Sequence, residues 1–161
     1  MPHLARFLTT VTLMMLMCGA PVALAALDCS GAVPVELNQT YPGDTTGLPD
    51  NVTLYGCSDW VESGGEIVHR LHLDLPHHFR VTLVPDFCDL DLVILDVCDE
   101  NLGCLLVTDD EITTTSPLSG DIYLVVDGYM GAACPFDLIL EDLGVPNQRL
   151  SFGQVKAIYE R

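Results

Sequence analysis

Between residues 26 and 143, apolar side chains recur at every second position, in short runs separated by Gly, Pro, Asp and Asn. A period of two sends successive side chains to opposite faces of an extended chain, so the pattern predicts strands and no persistent helix. Residues 32–37 (AVPVEL) read as a first strand. Pro34 marks it as an edge, because proline has no N–H to give to a ladder. NQTYPGDTTGLPD is dense in turn formers and reads as a loop, and NVTLYG as a short strand. In GEIVHRLHLDL, Ile67, His69, Leu71, Leu73 and Leu75 share one face, and Val68, Arg70, His72 and Asp74 the other. Pro76-His77-His78 reads as a turn, after which Phe79, Val81 and Leu83 alternate. The two runs together predict an antiparallel hairpin. DLDLVILD, LLVTD, DIYLVVDGY and CPFDLILED follow as further strands, with Asn101 and Gly103 favouring a tight reversal after the first. Seven or eight short strands at regular spacing predict an all-β fold, an antiparallel β-sandwich.

The two ends depart from this pattern. Residues 1–25 carry an early Arg6, an apolar stretch and small residues ending Ala23-Leu24-Ala25. That is the layout of a secretory signal peptide cleaved after Ala25, and the apolar stretch is short for a membrane span. Residues 26–143 form the predicted domain. Residues 144–161 open with the linker-like Gly144-Val145-Pro146-Asn147. Leu150, Val155, Ile158 and Tyr159 then recur at near-helical spacing, and Ser151 could cap a short helix. This basic, amphipathic tail reads either as a terminal turn packed on the domain or as a tag for sorting or docking.

Charge narrows the partners. Beyond Ala25 there are five basic residues against 23 acidic ones, a net charge of −18. Nucleic acid needs the opposite sign to neutralise phosphates, so that class is excluded, and anionic membrane surfaces are disfavoured for the same reason. Beyond residue 25 lie Cys29, Cys57, Cys88, Cys98, Cys104 and Cys134. An even number behind a signal peptide predicts three disulfides and an oxidising compartment, extracellular or in the cell envelope. Zinc sites usually use close Cys-x-x-Cys pairs, which are missing here. Six cysteines allow fifteen connectivities. Neighbourhood and elimination suggest Cys98–Cys104 across the reversal, Cys29–Cys57 near the N-terminus, and Cys88–Cys134 between two strand starts.

Three motifs occur in order: Glu66-Ile67-Val68-His69-Arg70, Asp89-Leu90-Asp91-Leu92, and Tyr123-Leu124-Val125-Val126-Asp127-Gly128. Together, over about residues 50–141, they resemble the bacterial pre-peptidase C-terminal domain. The resemblance implies a small secreted β-sandwich that is not itself catalytic. Such domains accompany exported enzymes as binding or stabilising modules, and some bind calcium. His69 departs from the family's aromatic preference, and no enzyme domain accompanies the module in this sequence.

Candidate sites follow. On a strand, Asp89 and Asp91 would share one face about 7 Å apart, with Leu90 and Leu92 pointing into the core. They could begin a calcium site, completed by Asp86 or Asp127, since Ca²⁺ takes six to eight oxygens. The other reading makes them exposed or loop-bracing carboxylates. His72, Asp74 and a turn histidine could meet a transition metal, or be solvated. His69 and His72 would face opposite ways. Ser58-Asp59 has no nucleophile motif around it. The sequence thus predicts a secreted, non-catalytic module that binds or stabilises a protein or polysaccharide. A structural subunit assembling through strand edges or the tail is the alternative, and a small secreted hydrolase a more distant one.

Overall fold

The computed structural model describes residues 26–145. The expected signal peptide and nearly all of the tail lie outside the described residues. Within them are eight strands and no helix: β1 (Val33–Val35), β2 (Gln39–Asp44), β3 (Ile67–Pro85), β4 (Leu90–Leu95), β5 (Cys104–Thr108), β6 (Glu111–Thr113), β7 (Leu118–Gly128) and β8 (Pro135–Gly144). One layer has the order β1-β3-β7-β4-β5, the other β2-β8-β3-β6. All pairs are antiparallel except β1 with β3. The result is an all-β, disulfide-stapled sandwich.

β3 belongs to both layers. It runs for 19 residues without reversing, where the sequence predicts a hairpin. Up to His77 it pairs with β7, and from His78 onward with β8. The register shifts between Leu73 and His77, so Pro76 sits where no ladder N–H is required. None of Pro76, His77 and His78 adopts the positive φ that a two-residue hairpin turn demands.

The predicted NQTYPGDTTGLPD loop also needs correction, because its first half is β2, paired with β8. As an edge strand β2 tolerates Pro42. Gly43 is required there because a Cβ would overlap the Phe136 ring. NVTLYG, predicted as a strand, belongs to no ladder.

Alternation builds the core. Leu71, Leu73, Phe79, Val81 and Leu83 of β3 meet Leu92 and Ile94 of β4, Leu124 of β7 and Leu138 of β8 between the layers. β4, however, is buried at every position. Its outer-face residues Val93 and Leu95, with Val68 and Val125, are covered by Leu27, Val52 and Tyr55 from non-strand segments. Part of one layer is therefore apolar on both faces, beneath a cover formed by residues 26–32 and 45–66.

Two disulfides hold that cover and correct two of the predicted pairings. Cys29 bonds Cys98, and Cys57 bonds Cys104. Cys29 and Cys57 both lie in the cover, so each ties down to the β4–β5 region beneath rather than to the other. Cys98 and Cys104, although close in sequence, serve different parts of the cover. The third bond, Cys88–Cys134, joins the approaches to β4 and β8 as the sequence suggests.

Candidate ligand-binding site

β4 and β7 set Asp91 directly opposite Asp127, on the covered face of their sheet. Asp91 is 1% and Asp127 0% exposed. Like charges opposed across a ladder destabilise it, so each needs an answer from above. Asp127 has one. Its Oδ2 accepts from the Tyr55 hydroxyl at 2.8 Å and its Oδ1 from the Gly128 N–H at 2.7 Å. Burial still raises its pKa to about 7, with those two bonds opposing the rise. Burial and the adjacent Asp127 push the Tyr55 hydroxyl far upward in turn.

Asp91 has no such answer. Its Oδ1 lacks a hydrogen-bond partner, and so do both carboxylate oxygens of Glu62, which is 1% exposed. Glu62 descends from the cover, where its N–H donates to the Thr53 carbonyl at 3.0 Å and it bridges to Tyr129. Gly128 permits this approach: a Cβ there would overlap the Ala132 carbonyl, and its own carbonyl accepts from the Ser63 and Gly64 N–H groups. The Glu62 and Asp91 carboxylates face each other, and Asp91 also faces Asp109. Burial, reinforced by Asp91, holds Glu62 well above the usual carboxylate range; burial raises Asp91 as well.

A cavity of about 200 Å³ opens over Asp91, lined by Trp60, Asp89, Asp109 and Tyr129. Asp89 lies just before β4 and is exposed, its carbonyl accepting from the Tyr129 N–H at 3.1 Å. The structure thus places Asp89 and Asp91 at one cavity and buries Asp91. Asp86 does not line the cavity, and Asp127 is engaged by Tyr55. Among the described residues, no three His, Cys, Asp or Glu side chains converge to hold a metal ion. Sequence reasoning missed Glu62 and Asp109. Val93 and Leu95, two apolar residues on the Asp91 face, are the signal that this face is covered.

The histidines are dispersed. His69 is buried, its ring 6.1 Å from Phe136 and edge-on to it, and burial lowers its pKa to about 4. Exposed His72 faces Asp121 at 2.7 Å and Asp74 at 3.4 Å, and the Asp121 hydrogen bond raises its pKa. His77 faces Asp142 at 3.2 Å, and His78 the Thr114 carbonyl. The Ser58 hydroxyl accepts from the Trp60 N–H, bracing the turn beneath the cavity's indole. A second, apolar cavity of about 470 Å³ lies between β5, β6 and the start of β7, with half-exposed Leu105 and Leu106 on its rim. No helix among the described residues is long and apolar enough to cross a membrane.

Comparison with known proteins places the fold. No family model and no curated protein sequence matches the chain. Among solved structures, the pre-peptidase C-terminal domain of collagenase from Bacillus anthracis is similar. Its TM-score is 0.50 at 15% identity, over 68% of this chain and 94% of that one. PliG of Aeromonas hydrophila, a periplasmic inhibitor of g-type lysozyme, is similar at the same TM-score and 14% identity, over 69% of this chain and 95% of its own. At these identities the likeness is one of fold.

Proposed function

We propose that the protein is an exported, non-catalytic binding module that engages a basic protein partner through the acidic cavity over Asp91. The observation that carries this reading is the cavity itself: Asp89, Asp91 and Asp109 line it beside Trp60 and Tyr129, the buried Asp91 Oδ1 has no hydrogen-bond partner, and the whole domain is strongly acidic. Ionised carboxylates only accept, so the exposed Asp89 and Asp109 beside Asp91 call for a donor or a cation. Complementary charge of this sign steers a basic protein to the surface and selects against acidic ones. Three disulfides suit an oxidising compartment, extracellular or in a cell envelope. Two proteins of similar fold are, by name, a domain of a collagenase and an inhibitor of a lysozyme. Both names set this fold beside an enzyme, and a secreted hydrolase is a fitting partner here.

A structural subunit is the second reading, favoured by the apolar cavity beside edge strand β5. Calcium at Asp89 and Asp91, expected from the sequence, competes for the same acidic cavity.

The test immobilises the oxidised protein, exposes it to the extracellular fraction of its own cells, and identifies what a salt gradient elutes. One basic protein retained at physiological salt, whose purified form binds saturably and loses binding on lysine acetylation, supports the module. A chain that retains nothing, and on a sizing column forms oligomers that deletion of residues 148–161 dissolves, is an assembly subunit instead. Hydrolysis by the purified protein of peptide or glycan substrates would overturn the non-catalytic reading.

A further inference from the structure

Resting on that reading, the geometry points to the cavity over Asp91 as a receptor for a primary ammonium group, of the kind a lysine side chain of the partner carries. Three observations lead there. First, Asp91 is 1% exposed, lines the cavity and carries an Oδ1 with no hydrogen-bond partner, while the Glu62 carboxylate faces it from the cover. A proton shared between the two carboxylates could answer one contact. It would leave the exposed Asp89 and Asp109 lining the same cavity as further acceptors. An ammonium brings three N–H donors and a full positive charge to that row of acceptors.

Second, the wall is not only acidic. Trp60, at 38% exposure, and Tyr129 line the same cavity. Aromatic faces attract a cation electrostatically and pack against the methylene stem that carries it. A bare metal ion would make no use of them.

Third, the carboxylates fall short of a metal site. Calcium needs six to eight oxygens at about 2.3–2.6 Å from one point. Among the described residues, no three acidic side chains are so gathered. Ammonium hydrogen bonds reach to roughly 2.7–2.9 Å and tolerate separated acceptors. The cavity's 200 Å³ accommodates the group together with several methylenes. The acceptors also come from different elements: Asp89 and Asp91 from β4 and its approach, Asp109 from the β5–β6 turn. Such a ring matches tetrahedral donors better than the planar fork of a guanidinium, which prefers both oxygens of one carboxylate.

The probe is Nα-acetyl-lysine methylamide, titrated into the ¹⁵N-labelled oxidised protein, with the norleucine analogue as its uncharged control. Saturable shifts centred on the Trp60 indole N–H and the amides of Asp89, Asp91, Asp109 and Tyr129 are expected from the lysine compound alone. The double variant Asp89→Asn/Asp109→Asn alters exposed residues, so its fold is secure; it should weaken the response by about tenfold or more. Trp60→Ala should weaken it independently of charge. Calcium is titrated separately and then removed with chelator. If calcium binds at these residues and the lysine probe does not, the cavity is a metal site and the ammonium assignment is overturned. No response to either probe overturns it too. Shifts of equal size from norleucine reduce the cavity to an apolar cleft and overturn it likewise. The same double variant separates this assignment from the wider reading. A partner captured equally well by variant and parent defeats the cavity while sparing the partner. No capture by the parent defeats the partner reading whatever the cavity binds.

Discussion

Asp127→Asn is expected to remove the loss of stability with rising pH that the covered face contributes. Asp127 of β7 is fully buried on the covered face opposite Asp91 of β4, and burial lifts its pKa from 3.8 to about 7. A carboxylate whose folded pKa is raised binds its proton more tightly folded than unfolded. Its contribution is therefore fully present below the unfolded value and is lost as pH rises toward about 7. The full displacement corresponds to roughly 4 kcal/mol, an upper figure for a site that can relax. Asparagine cannot ionise, so the variant should show none of this loss. Its carbonyl can still accept from the Tyr55 hydroxyl, but its amide cannot accept from the Gly128 N–H, which forfeits about 1 kcal/mol. The variant should thus be slightly less stable than the parent near pH 4 and more stable near pH 8, the curves crossing between. Urea unfolding followed through the single tryptophan, Trp60, measures this directly with the disulfides intact. Parallel curves for variant and parent over that range would refute the reasoning, because Asp127 would then titrate alike in both states.

Replacing Cys57 and Cys104 together by serine opens a loop of 47 residues' separation and should cost about 4 kcal/mol on the chain-entropy estimate. Hydrogen exchange should rise first across residues 45–66; a uniform rise over all strands would show that the bond does not specifically hold the cover. His69→Phe should remove an acid-side loss. Burial lowers the folded pKa of His69 to about 4, so its contribution is present above about pH 6.5 and is lost as pH falls toward 4. The melting temperature of the phenylalanine variant should fall less over that window than the parent's, and an equal fall would count against His69 as the source.

The strands that were legible are those whose two faces differ. Phe79, Val81 and Leu83 alternate with residues less deeply buried, and the sequence shows it. β2 was not legible because its evidence is cross-strand: Pro42 and Gly43 forbid a central strand but suit an edge beneath Phe136. The continuity of β3 was hidden by Pro76, which reads as a turn in sequence and becomes a shift of register once β7 and β8 pair on either side. Of the candidate site, Asp89 and Asp91 were visible from the alternation of β4. Glu62 was not, because residues 45–66 have no period and their placement depends on the Cys57–Cys104 disulfide and on Tyr55 reaching Asp127. Alternation alone equates polar with exposed, and Asp91 breaks that equation.

The order of the cysteines along the chain also governs how the oxidised protein can be made. Synthesis presents the N-terminal part first. A newly exposed Cys29 therefore meets Cys57 before either Cys98 or Cys104 has emerged, although the native bonds join Cys29 to Cys98 and Cys57 to Cys104. Rapid oxidation would trap the non-native Cys29–Cys57 link and leave the outer face of β4 bare. Reaching the native bonds then requires a thiolate to attack that link and exchange it, a step that takes seconds to hours depending on oxidant and isomerase. Recovery of the native protein should accordingly be governed by disulfide shuffling, and a host that supplies oxidant without an isomerase should accumulate scrambled chains.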